Sequence, residues 1–102
     1  MANNKEIVKY SELLMYYQKL FTKKQLTYLD DYFLNDLSFQ EVATKYHVSA
    51  MAIADSIKHS KKLLNDYEDK LGLYKKANAR AKVYNQVADK GLREKLIQIE
   101  KV

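Results

Sequence analysis

The side chains able to do chemistry in this sequence are few and scattered. Its two histidines, His47 and His59, are 12 residues apart, whereas a metal site needs several His, Cys or carboxylate groups converging on one point. There is no cysteine to serve as nucleophile, thiolate ligand or disulfide partner. No glycine-rich phosphate loop occurs, and no Ser-His-Asp set is accompanied by an oxyanion motif. The grouped acids, Asp30 with Asp31 and Asp66 with Glu68 and Asp69, read as solvated helix faces, because general acid–base work needs a pocket that so short a chain hardly has room to form. The expectation is a protein that is not an enzyme and holds neither metal nor cofactor.

Chain length and composition say what must position any remaining functional side chains. A chain of 102 residues suits one small folding unit plus an appendage. It has no proline and two glycines, Gly72 and Gly91, so turn punctuation is almost absent, and no segment alternates in the manner of a strand. The fold class is therefore all-α. In the first helix Ile7, Tyr10, Leu13, Leu14, Tyr17, Leu20 and Phe21 fall on one side and form a core face, while Val8 and Met15 lie opposite and suggest a docking surface. Thr22 with Gln25, and Ser38 with Glu41, have the capping-box spacing that starts a helix. The first box predicts a helix from about Lys23 to Leu34 burying Leu26, Leu29, Tyr32 and Phe33, and the second a short helix with Phe39, Val42 and Tyr46.

After "HVS" a longer helix begins, with Ser49 placed as its cap. Short helix, tight turn and long helix, with Ala43 small at the crossing, Val48 plugging the turn and Ile53 and Ile57 returning to the core, spell a helix-turn-helix. His47 stands where glycine is frequent and is expected to need a left-handed backbone. At about 100° per residue, Ile53, Ile57, Ser60 and Leu64 cluster inward, and Ala50, Met51, Ala54, Asp55, Lys58, Lys61 and Lys62 share the outward sector. In a DNA reader Ser49, Ala50, Met51, Ala54 and Asp55 would meet bases, but none supplies the Arg, Lys, Asn or Gln donors that usually do so. The alternative for these residues is a protein contact, for which an adaptable methionine suits. Lys58, Lys61 and Lys62 lie where phosphates would pass.

Gly72 is expected to stop this helix. Beyond it, "YKKANARAKVYNQVADK" places Tyr74, Ala77, Ala81, Tyr84 and Ala88 on one face, Gly91 is expected to bend or end the helix, and "LREKLIQIEKV" brings Leu92, Leu96 and Ile99 together. Charge divides at the same place. Residues 1–74 hold ten lysines and ten acids, whereas residues 75–102 hold eight Lys or Arg against three acids, so the net charge of +5 lies in the tail. Lys75, Lys76, Arg80, Lys82, Lys90, Arg93 and Lys95 form the electrostatic footprint expected of a nucleic-acid partner, with Tyr74 and Tyr84 as possible stacking surfaces if they are not core. We accordingly divide the chain into a helix-turn-helix domain, residues 1–74, and a basic C-terminal helical extension, residues 75–102. No segment has the length and apolarity of a membrane span or signal peptide, which makes the cytoplasm the expected location.

Several of these features recur together at set separations: Tyr16-Tyr17, Thr22 with Lys24-Gln25, Asp36-Leu37-Ser38, Glu41-Val42-Ala43, Val48-Ser49, Ala52-Ile53, Asp55, Ile57-Lys58, and Tyr67-Glu68 with Lys70-Leu71. In them the stretch of residues 13–73 resembles the YlxM-like family, small helix-turn-helix proteins related to region 4 of bacterial sigma factors and associated with the signal recognition particle pathway. The resemblance implies a sigma factor region 4-like bundle acting as an accessory or regulatory protein that binds the protein or RNA of that particle. The alternative is a helix-turn-helix DNA-binding transcriptional regulator. Family members typically carry Arg and Gln directly after the "VS" turn and Arg after the "IK" pair; here those positions are Ala50, Met51 and His59. A homodimer, through Val8 and Met15, through Met51 or through the tail helices, is a further expectation.

Overall fold

Side-chain caps start most of the helices. In the computed structural model, which describes residues 2–101, Asn3 accepts from the Glu6 amide at 2.8 Å and opens α1, Asn4–Tyr17. Thr22 and Gln25 cap one another's backbone amides at 3.1 and 2.9 Å to open α2, Lys23–Leu29. Ser38 and Glu41 do the same at 3.1 and 3.0 Å for α3, Phe39–Tyr46. Ser49 accepts from the Ala52 amide at 3.0 Å and starts α4, Ala50–Leu71. α5, Leu73–Tyr84, and α6, Lys90–Glu100, complete an all-α chain. The capping boxes and Ser49 therefore act where their spacing predicts, satisfying amides that a helix start leaves open.

Two segments depart from regular α-helix, and each moves a residue off its expected face. After Tyr17 the chain tightens into a 3-10 turn, Gln18–Leu20, so the α-helical phase is lost and Leu20 is exposed instead of joining the core. After Leu29 the predicted helix widens into a π-helical segment, Asp30–Leu34, closed by the Asn35 amide on the Asp30 carbonyl at 3.0 Å. The wider turn lets three consecutive residues, Asp31, Tyr32 and Phe33, all be buried, which a single α-helical face does not allow. Asp31 is thus not on a solvated face but only 3% exposed. It accepts from Asn35 Nδ2 at 2.8 Å, from Lys45 Nζ at 3.2 Å and from the Tyr46 hydroxyl at 2.5 Å, tying the π segment to α3. Burial raises its carboxyl, but these hydrogen bonds outweigh it and hold the group below the usual carboxylate range.

The core is formed by Leu13, Leu14 and Tyr17 of α1, Leu29 and Phe33, Val42 and Ala43 of α3, and Ile53, Ile57 and Leu64 of α4. His47 closes α3 at φ 58° and ψ 42°, the left-handed conformation expected of the turn. Val48, at 38% exposed, does not plug that turn; its amide reaches the Ala43 carbonyl while its side chain stays at the surface.

Gly72, at φ 61°, ends α4 and leads directly into α5, a junction where an L side chain would be strained. Glu68 is the clamp. Its carboxylate accepts from the Tyr17 hydroxyl at 2.6 Å and from the Tyr74 and Lys75 amides at 3.1 and 3.0 Å, so it joins α1, α4 and the open start of α5 rather than facing solvent as the acidic run suggests. α5 ends at Tyr84, leaving Ala88 outside it, and Gly91 lies in the first turn of α6, whose cap is Asp89. Gly91 therefore neither bends nor ends α5. Leu92 and Ile99 are exposed and Leu96 is half-buried. The chain measures 54 × 25 × 23 Å with a radius of gyration of 16.7 Å, against about 13 Å for a compact chain of this length, because α5 and α6 project from the body.

Candidate nucleic-acid interface

α4 separates its residues as an amphipathic helix must, with Ile53, Ile57, Ser60 and Leu64 buried. On the opposite side Met51 is 75% exposed, and Asp55, Lys58 and Lys62 are exposed with it. Lys58 and Lys62 are one helical turn apart on a common face. The rest of the expected outward sector is not assembled there. Ala50 packs against the core, and Ala54 is half-buried. Lys61 turns back over α1, where its ammonium is ion-paired with Glu6 and sits 5.7 and 5.9 Å from the Tyr10 and Phe33 ring centroids. It is held by the body, not presented beside Lys58 and Lys62. The Ser49 hydroxyl is engaged at the helix start.

The tail's charges divide in the same way. Arg80 forms a two-point pair with Glu100, with Nη2 at 3.0 Å from one carboxylate oxygen, and the Tyr84 hydroxyl donates to the same carboxylate at 3.0 Å. These residues fasten α6 to α5. Tyr74 donates to Glu12 and meets Tyr16 edge-on at 5.9 Å, fastening α5 to α1. Lys75, Lys76, Lys82, Lys90 and Lys95 are exposed and, among the described residues, outside every ion pair, while Arg93 is half-buried.

One basic feature is not visible in the sequence pattern. A groove of about 530 Å³ runs beside the helix-turn-helix turn, lined by Lys23, Lys24, Thr27 and Tyr28 of α2 and by Tyr46 and Val48. The lysines precede the turn by more than twenty residues, so no local spacing connects them with it. Both histidines are exposed, and no group of three or more His, Cys, Asp or Glu able to hold a metal occurs among the described residues. No helix among them is long and apolar enough to cross a membrane.

The helix-turn-helix of α3, His47 to Ser49 and α4 agrees with what comparison with known proteins finds. The family described as "Putative helix-turn-helix protein, YlxM / p13 like" (UPF0122) matches residues 4–102. The chain belongs to this family. A UPF0122 protein of Malacoplasma penetrans is 43% identical over 90 residues, covering 88% of this chain and 84% of that protein. One from Mycoplasma pneumoniae is 40% identical over 92 residues, 90% of each chain, and one from Bacillus licheniformis is 44% identical over 72 residues, 71% of this chain and 67% of that protein. The UPF0122 match takes in the basic extension, which lies outside the stretch whose motifs carry the resemblance. In this UPF0122 protein the scaffold around α3 and α4 is therefore a family property, while Ala50, Met51 and His59 are what this chain displays or buries on it.

Proposed function

We propose that this chain is a non-enzymatic, cytoplasmic regulatory protein that binds duplex nucleic acid through its helix-turn-helix, holding phosphates with Lys58 and Lys62 and discriminating weakly among base sequences. The observation that carries the reading is α4 itself: a capped helix start following the turn, Met51 and Ala52 exposed in its first turn, and Lys58 and Lys62 on the outer side and, among the described residues, outside every ion pair. Met51 offers apolar contact to a thymine methyl but no bidentate hydrogen bonds, and Asp55 opposes phosphate, so affinity comes from the lysines more than from base edges. Residues 1–74 are the reading unit in this proposal, and residues 75–102 add nonspecific attraction.

The test is fluorescence anisotropy with a labelled duplex across a salt series. Wild type should bind, random duplex should compete within about tenfold of any selected site, and Lys58→Gln with Lys62→Gln should reduce the salt slope by about 1.8. Failure to retain any duplex at low salt would overturn the proposal.

The accessory role in the signal recognition particle pathway is a second reading, favoured by lysines of the extension, among them Lys75, Lys76, Lys82, Lys90 and Lys95, that are exposed and, among the described residues, outside every ion pair. It predicts tighter binding to that particle's RNA than to duplex DNA of equal length, lost when Lys75, Lys76, Lys82, Lys90 and Lys95 become Gln. Equal affinity for the two would remove its support.

A further inference from the structure

We infer that the groove between the start of α2 and the helix-turn-helix turn is a phosphodiester-binding subsite, which grips the nucleic-acid backbone next to the bases met by α4; this rests on the duplex-binding reading above. Its chemistry is one-sided. Lys23 and Lys24 are exposed and, among the described residues, outside any ion pair. Tyr28 is 7% exposed, lines the groove, and its hydroxyl makes no hydrogen bond within the described residues. Neighbouring groups are already committed: Lys45 and the Tyr46 hydroxyl both serve Asp31, and the Thr27 hydroxyl donates to the Lys23 carbonyl at 2.9 Å. Among the described residues, no carboxylate lines the groove. Two ammonium groups and a phenol able to donate line one groove with no acid among the described residues, which suits an anion with several acceptor oxygens.

The apolar part of the groove narrows the ligand further. Tyr28 and Tyr46 pack with ring centroids 5.4 Å apart, Lys24 sits 5.9 Å above the Tyr28 ring, and Val48 contributes an exposed aliphatic edge. Cations beside an aromatic and aliphatic floor match the alternation of phosphate and sugar along a nucleic-acid strand better than they match a free phosphate. Position gives the same answer. Val48 immediately precedes Ser49, the cap of α4, so a strand crossing the groove continues onto the first turn of that helix. The acid at Asp55 makes this neighbouring supply of positive charge useful, since α4 alone offers phosphates a mixed field.

The experiment is anisotropy of the full chain with a labelled duplex over a salt series, comparing wild type, Lys23→Gln/Lys24→Gln, Tyr28→Phe and a charge-matched control, Lys5→Gln/Lys19→Gln. The groove variant should lower the salt slope by about 1.8, and Tyr28→Phe should weaken binding about threefold or more with the slope unchanged. The control should keep the wild-type slope. Circular dichroism melting confirms the fold; the lysines are exposed, so the double variant should melt like wild type. If wild type binds duplex but the groove variant keeps its slope, or the control loses as much, the subsite is overturned and the duplex-binding reading stands. If polyglutamate displaces duplex as well as unlabelled duplex does at equal charge, and the groove variant abolishes this, the ligand is an acidic peptide and the subsite as proposed is overturned. Wild type that binds no duplex overturns both.

Discussion

Helices α1 to α4 and helices α5 and α6 are held by different physics. The first four, with the π-helical segment after α2, bury Tyr17, Leu29, Phe33, Val42, Ile53, Ile57 and Leu64 almost completely, whereas from Leu73 to Lys101 only Ala77 is buried. Polar contacts compensate in the extension: Glu68 and Tyr74 fasten α5, and Glu100 with Arg80 and Tyr84 fastens α6. A cleft of about 340 Å³ remains among α1, α5 and α6, with Tyr16, Ala77, Ala81, Tyr84 and Ile97 on its walls. Apolar burial holds against salt and is lost only with cooperative unfolding, while exposed ion pairs are screened and contribute little. We propose that the body is a fold in its own right and the extension an arm, attached by these hydrogen bonds and by the packing of Tyr74 and Ala77.

The sharpest way to break this contrast is to remove core from each part. Leu64→Ala should lower the unfolding free energy by about 3 kcal/mol in urea denaturation, and Ile97→Ala, at a half-covered site, by less than about 1 kcal/mol. Equal losses would mean that the arm is packed as the body is. Next in size is Asp31→Ala, which leaves Tyr46, Asn35 and Lys45 without their shared acceptor and should cost about 2 kcal/mol.

Acid titration should sharpen the same point. Asp31 and Glu68 both lie below the usual carboxylate range in the folded chain, so the stability they give is complete above the unfolded values of about 3.9 and 4.3 and is lost as pH falls through their folded values. The Asp31→Ala variant should flatten the drop in melting temperature between about pH 5 and 3. A parallel curve for wild type and variant would remove Asp31 from the account.

Smaller effects belong to the joint and the arm. For Glu68, burial raises the carboxyl, but the Tyr17 hydroxyl and the Lys75 and Tyr74 amides outweigh it. Glu68→Gln should therefore cost about 1 kcal/mol and speed amide exchange in α5 while α4 stays protected. Arg80→Gln should leave the melting temperature unchanged and raise exchange in α6 alone. Faster exchange in α4 with either variant would show that arm and body open together.

The readable part of this protein was local. Capping boxes at Thr22 and Ser38, the cap at Ser49, the left-handed His47 and the stop at Gly72 are decided by neighbours three or four residues away, and a linear chain displays them directly. The inner face of α4 was legible for the same reason, since helical period alone brings Ile53, Ile57, Ser60 and Leu64 together. Lys61 was misplaced because its direction is set by Glu6, which is distant in sequence, and the same holds for Arg80 and Glu100. Periodicity assigns a residue to a face, but a long flexible side chain near the edge of that face goes to whatever charge the fold brings near it.

By itself the sequence determined the starts of α2, α3 and α4, the helix-turn-helix order and a basic extension, because each rests on short-range hydrogen bonding, helical period or charge count. Tertiary structure decided which charges are free. It withdrew Lys61 and Arg80 into ion pairs, buried Asp31 by widening a helix turn, made Glu68 the joint between body and arm, and set Lys23 and Lys24 beside a turn remote from them in sequence. Those outcomes depend on distances through space between residues far apart along the chain, a quantity that residue order does not contain.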